Sequence, residues 1–161
     1  MRKQRIYLDT SVISHLYAPD TPEKMADTLR LWRQIQNGEY DVVLSEVVFD
    51  ELARCVDFKK RQLTDFLQRI RYDRVESNND TVALASKFVD FGILREKSFD
   101  DCRHIAAALV SGCDIIVSWN FRHIVNAKTI RGARMIASTN GFNDILICTP
   151  TMLVAEDYDN G

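Results

Sequence analysis

Four short runs, Arg5-Ile6-Tyr7-Leu8, Val42-Val43-Leu44, Ile115-Ile116-Val117 and Ile145-Leu146-Ile147, are apolar at consecutive rather than alternate positions. A strand with that pattern has no face to give to water and must be covered on both sides. Arg74-Val75-Glu76 is a weaker fifth candidate. Between the runs the apolar residues change to helical spacing: Met25, Leu29, Trp32 and Ile35, then Leu63, Phe66, Leu67 and Ile70, then Val82, Ala85 and Val89. Strands separated by helix-length segments pair in parallel, and right-handed crossovers lay the helices over both faces. The chain is therefore expected to be an α/β protein built on a parallel sheet. Ligands of such sheets bind at the carboxyl ends of the strands, near the point where strand order reverses.

The 161 residues suit one domain spanning 1–161, with no repeat, low-complexity stretch or Pro/Gly-rich linker to divide it. No apolar run nears the roughly 20 residues of a membrane span. Met1-Arg2-Lys3-Gln4-Arg5 leads into a strand rather than a secretory signal, so a cytoplasmic protein with no membrane association is expected. Cys55, Cys102, Cys113 and Cys148 are scattered without a CxxC pair, and His15, His104 and His123 do not complete a zinc set. Buried free thiols are the expectation. A net charge of −2 argues against coating nucleic acid by bulk charge, but not against an acidic centre ringed by local basic groups. Such groups are Arg2, Lys3 and Arg5; Lys59, Lys60 and Arg61; Arg69, Arg71 and Arg74; and Lys128, Arg131 and Arg134, although for any single cluster a solvated helix face is the first reading.

Four polar residues fall where a ligand of this sheet would bind. Asp9 directly follows the first run, and it is placed equally well to cap the next helix. In Ser45-Glu46-Val47-Val48-Phe49-Asp50-Glu51-Leu52 the apolar arc is Val47, Val48, Leu52 and Cys55. Glu51 lies inside that arc, whereas Glu46 and Asp50 lie opposite it; Ser45 is a candidate cap. A carboxylate aimed inward is costly unless paired or bound to a metal. In Ser98-Phe99-Asp100-Asp101-Cys102-Arg103-His104-Ile105, Asp101 lines up with Ile105, Ala108 and Gly112, and Asp100 with Arg103, His104 and Ser111 on the outer side. A capping box from Ser98 to Asp101 competes with a site role for Asp101. Asn120, in Ser118-Trp119-Asn120-Phe121, shares the carboxyl edge with Asp9, while Asp114 sits at the far end of its strand. Clustered carboxylates repel, and a hard divalent cation such as Mg²⁺ resolves that repulsion. Its chemical use would be to activate water and neutralise charge on a phosphodiester.

Taken in order, these segments resemble the motifs of the PIN-domain family, which includes the VapC-type toxins of toxin–antitoxin pairs. Tyr7-Leu8-Asp9-Thr10-Ser11-Val12 resembles the opening motif and Ser45 through Leu52 the second. Asp101 through Ala108 is similar to the third, Val117-Ser118-Trp119-Asn120-Phe121 to the fourth, and Ile147-Cys148-Thr149-Pro150 to the family's ending. The resemblance implies a three-layer α/β/α sandwich with a central, mostly parallel twisted sheet. It also implies a Mg²⁺- or Mn²⁺-dependent endoribonuclease acting on RNA. Asp9, Glu51 and Asp101 would be metal ligands and, with Asn120, the catalytic set. Asn120 stands where many members carry aspartate. A cognate antitoxin and a homodimer are the partners it implies. The rival reading is a PIN-shaped module with little or no catalysis that binds RNA or a protein. Other α/β enzymes fit less well: there is no GxGxxG, and Ser11 stands where a dehalogenase-like phosphatase would carry a second aspartate.

Overall fold

The computed structural model describes residues 2–159, with side chains through 155. Five strands make one sheet: β1 (Gln4–Leu8), β2 (Tyr40–Ser45), β3 (Asp73–Val75), β4 (Ile115–Val117) and β5 (Leu146–Cys148). Their order is β3-β2-β1-β4-β5, and every pairing is parallel. Helices connect them: α1 (Thr10–Ser14), α2 (Pro22–Gln36), α3 (Glu46–Ala53), α4 (Asp57–Leu67), α5 (Asn79–Asp90), α6 (Phe99–Val110), α7 (Ala127–Thr139) and α8 (Pro150–Asp159). The expected five runs are the five strands, with the third and last displaced by one residue.

Side chains alternate across a strand, and that splits each consecutive apolar run between two cores. Ile6 and Leu8 face Val42, Leu44, Ile115 and Val117, beneath α1, α2, α3, α4 and α8. Tyr7 faces the other way with Val43, Ile116 and Ile147, beneath α5, α6 and α7. Three layers result, helices on sheet on helices. The chain builds outward from β1 through β2 to β3, then returns to β4 on the other side of β1. The reversal therefore falls between β1 and β4, whose ends are in register at Leu8 and Val117.

Two helical stripes are phased differently from the expected ones. On α2 the buried face is Thr28, Leu31, Trp32 and Ile35, with Met25 and Leu29 half-buried. On α5 it is Thr81, Leu84, Ala85 and Phe88, and Val82 is exposed. In both, a threonine joins the inner face because its hydroxyl has a local partner, Lys24 carbonyl for Thr28 and the Asn78 cap for Thr81. A satisfied hydroxyl is tolerated in a core. Ile70 lies beyond the end of α4.

Gly132 shows how closely the second core is packed. A methyl group there would lie 2.7 Å from three carbons of Ile93. A helical glycine replaced by alanine ordinarily gains about 1 kcal/mol. Overpacking costs about 1–3 kcal/mol. Gly132→Ala should therefore lower the melting temperature, and Ile93→Ala should cost less in the Gly132→Ala background than in the parent. A rise in the single variant would show that Ile93 moves aside freely.

Candidate active site

Asp9 leaves β1 in extended conformation and caps α1, accepting the Val12 N–H at 3.2 Å. Capping is thus realised, but it occupies little of this carboxylate. The Ser11 hydroxyl donates to Asp9 Oδ1 and the Ser118 hydroxyl to Oδ2, each at 2.5 Å. Each serine oxygen in turn accepts a backbone N–H from the segment after β4, Trp119 to Ser11 at 2.8 Å and Asn120 to Ser118 at 2.9 Å. Two hydroxyls therefore tie the β1–α1 turn to the end of β4 through Asp9, at the switch point. Asp9 is 3% exposed, and burial raises its pKa against the opposing charge of His104 and these hydrogen bonds.

Glu51 comes from α3 and points inward as expected. Its Oε1 accepts the Thr10 hydroxyl at 3.0 Å and lies 2.6 Å from His104 Nε2. Burial works to raise its pKa, but the hydrogen bond and charge of His104, with Thr10, outweigh burial and hold it below the ordinary value. An ionised carboxylate only accepts, so Nε2 of His104 carries the proton. On the other side of the ring, Nδ1 lies 2.6 Å from the Tyr7 hydroxyl, itself 2.7 Å from Ser45 Oγ. A chain of polar groups thus runs from Ser45 through Tyr7 and His104 to Glu51, buried up to the His104 ring.

That chain corrects two expectations. Ser45 makes no side-chain cap on α3. His104 is 2% exposed rather than on an outer side. From His104 to Leu109, α6 is buried all round between the sheet and α5, so this stretch has no outer side. Tyr7, Thr10, Ser118 and His104 are the participants that sequence reasoning missed. For Ser118 the usable signal was a hydroxyl directly after an apolar run, as Ser45 also is after Leu44.

Asp101, in the first turn of α6, is not capped by Ser98, so the competing capping box is absent. Its Oδ1 accepts the Asn120 amide at 3.3 Å. Burial raises its pKa, His104 and His123 oppose that, and the charges of Asp9 and Glu51 push it further up. Asp9 and Glu51 are therefore both within electrostatic reach of Asp101. Asn120 also closes a turn, its Oδ1 accepting the His123 N–H at 2.9 Å.

The acids set aside on position have other partners. Glu46 lies 3.9 Å from Arg103, and Asp100 lies 3.2 Å from Arg103 and 3.8 Å from Arg54. Asp50 is exposed. Asp114, at the opposite edge, binds Arg2 at 2.9 Å and the Arg5 N–H at 2.8 Å. Arg2 and Arg5 therefore do not ring the site, and Arg134 pairs with Asp144 at 3.4 Å. The four cysteines form no disulfide, and Cys102, Cys113 and Cys148 are buried as expected whereas Cys55 is half-buried; burial pushes the Cys102 and Cys113 thiols up to about 12.

Among the described residues, no three His, Cys, Asp or Glu side chains form a ready-made metal cluster. The donor chemistry nevertheless suits a hard cation. A carboxylate has about four acceptor positions, and Asp9 uses three. Glu51 and Asp101 bind through one oxygen each, and the second has no hydrogen bond among the described residues. Hard oxygens with spare capacity and mutual repulsion are the preferred surroundings of Mg²⁺ or Mn²⁺.

An all-parallel α/β/α sandwich with Asp9 at its topological switch point, linked to Glu51 and Asp101 through Thr10, Ser118 and Asn120, narrows the class of molecule. Residues 6–147 match the PIN domain, and the chain belongs to the PIN-domain family. Its fold is similar to that of VapC20 from Mycobacterium tuberculosis, described as a sarcin-ricin loop cleaving toxin. That match has a TM-score of 0.57 and 18% identity over 87% of this chain and 98% of the other. It is similar also to VapBC2 from Rickettsia felis bound to a DNA fragment from their promoter. The TM-score there is 0.52, with 12% identity over 91% of this chain and 98% of the other. A comparison with curated proteins returns no match. Among the described residues no helix is long and apolar enough to cross a membrane.

Proposed function

We propose that residues 1–161 form one PIN-type domain that works in the cytoplasm as a Mg²⁺- or Mn²⁺-dependent endoribonuclease, hydrolysing RNA phosphodiester bonds. The observation that carries this reading is the hydrogen-bonded linkage of Asp9, Glu51 and Asp101, which come from three separate elements, through Thr10, Ser118 and Asn120. Asp9, Asp101 and Glu51 would hold the cation, which supplies charge neutralisation and an activated water when bound. The protein's own part is positioning. Ser11 and Ser118 fix Asp9, His104 and Thr10 fix Glu51, and Asn120 steadies Asp101. Likeness to VapC20 and VapBC2 supports a toxin role with a cognate antitoxin, and a homodimer belongs to the same reading as the family's habit. The test is incubation of purified protein with assorted RNAs, with and without Mg²⁺ or Mn²⁺, beside Asp9→Asn. Cleavage that survives chelation, or survives Asp9→Asn, rejects the reading.

A second reading, a module that binds RNA or a protein with little catalysis, is favoured by Asn120, which brings an amide where a further carboxylate would add charge. Metal binding separates the two. Millimolar Mn²⁺ should raise the melting temperature of the parent, because only a ligand that prefers the folded state does so. Asp101→Asn should shrink that rise and stabilise the metal-free protein by relieving repulsion. An undiminished rise would remove Asp101 from the site.

A further inference from the structure

We propose that Phe121 and Lys24 form a nucleotide platform at the edge of the site, the ring stacking on a base beside the phosphate to be cleaved. This rests on the ribonuclease reading and adds residues to it. Phe121 directly follows Asn120 and is 50% exposed, while Trp119 on the other side of Asn120 is 7% exposed. Trp119 is anchored by its indole N–H on the Thr28 hydroxyl at 2.9 Å, and its backbone N–H is held by Ser11. The Phe121 ring lies 6.4 Å from that of Trp119, so a fixed aromatic supports the exposed one. Lys24 Nζ sits 5.6 Å from the Trp119 ring and 5.4 Å from Phe121. An exposed phenylalanine alone is unremarkable on a protein surface. An ammonium held against two aromatic rings, one residue from an acidic phosphodiester site, is a different matter. Any base offers a π-face to such a ring, and the ammonium is placed for the phosphate attached to it.

The other flank of the same turn continues the path. A cleft of about 300 Å³ between the 92–98 loop and the start of α7 is lined by Arg95, Lys97, Arg122 and Lys128. None of the four has a carboxylate partner among the described residues. His123 joins this cleft to the site, since it lines the cleft and its backbone N–H binds Asn120 Oδ1 at 2.9 Å. A strand crossing the 120–123 turn would thus meet a stacking surface on one side and a cationic cleft on the other. That arrangement offsets the repulsion between phosphates and the acidic centre in a chain of net charge −2.

The test measures binding apart from cleavage. Full-length Asp9→Asn protein, in Mg²⁺, is titrated into a short fluorescent single-stranded RNA of mixed sequence and followed by anisotropy. Adding Phe121→Ala should weaken binding about tenfold, within the range of base–aromatic stacking. Phe121→Leu should lose as much, because bulk without a π-face does not stack, and Phe121→Trp should retain affinity. Lys24→Glu should weaken binding and flatten its salt dependence by about one phosphate contact. Phe91→Ala, at an exposed ring after α5, should change nothing. Equal affinity for the alanine, leucine and parent proteins overturns the platform, as does undetectable binding by the parent. Phe121-dependent binding in a protein that cleaves no RNA retains the platform and sinks the nuclease. Cleavage with Phe121-independent binding does the reverse.

Discussion

Glu51→Gln is expected to abolish RNA cleavage, with Glu46→Gln and Asp50→Asn keeping nearly all of it. The loss should exceed about 100-fold, because disturbing only the groups behind a metal ligand costs about 10–100-fold. Gln keeps the shape of Glu51 and still accepts from Thr10, but it removes the charge that a cation would need. The companion variant His104→Ala should fall in that 10–100-fold range. It leaves Glu51 in place without the imidazole 2.6 Å away that now holds it ionised. His104→Gln, whose amide can donate from a similar position, should recover part of the activity. Because His104 is buried, melting curves must accompany the assay; a variant that loses stability without regaining activity as glutamine would reduce His104 to a core residue. Should Asp50→Asn be the damaging change, the inward face of α3 is not the catalytic one.

The sheet was legible because its strands are apolar at consecutive positions, and Tyr7 between Ile6 and Leu8 shows why: the two neighbours serve one core and Tyr7 the other. Strand order was not legible. Strands that are apolar on both faces carry no local mark of their neighbours, and the order follows from how the crossovers pack. On α3, the inward direction of Glu51 was readable since Val47, Val48 and Leu52 mark a single apolar arc, with Asp50 and Ala53 exposed on the other side. That same logic failed on α6, where burial on all sides erased the outer face and hid His104. Asp9 defied an either-or reading because one carboxylate both caps α1 and joins the site. The basic groups could not be sorted from sequence, for an electrostatic reason. Clustering in sequence says nothing of pairing in space, and Arg2, Arg5 and Arg134 turned out to have acids of their own.

Asn120→Asp should lower the metal concentration for half-maximal cleavage by about tenfold, equivalent to about 1.4 kcal/mol in binding. The substitution is unusually clean. Aspartate can still accept the His123 N–H, so the turn that Asn120 closes is preserved. What changes is the other end of the side chain, where an amide now donates to Asp101 at 3.3 Å. Aspartate replaces that donor with a second negative charge beside a carboxylate whose pKa is already raised by burial and by its acidic neighbours. Without metal, the variant should melt lower than the parent; with Mn²⁺, its melting temperature should rise more. A pair of unit charges about 4 Å apart interacts by about 4 kcal/mol at an effective dielectric of 20, so a tenfold effect is a modest fraction of the available attraction. Asn120→Ala removes a turn closure and a neutral partner, and should harm cleavage less than Asp9→Ala, which removes an anion from the centre. Mn²⁺ titrations of cleavage for all four proteins decide the matter. If Asn120→Asp needs as much metal as the parent, or more, then Asn120 is a structural residue that closes the 120–123 turn and steadies Asp101, and the metal site is complete with Asp9, Glu51 and Asp101.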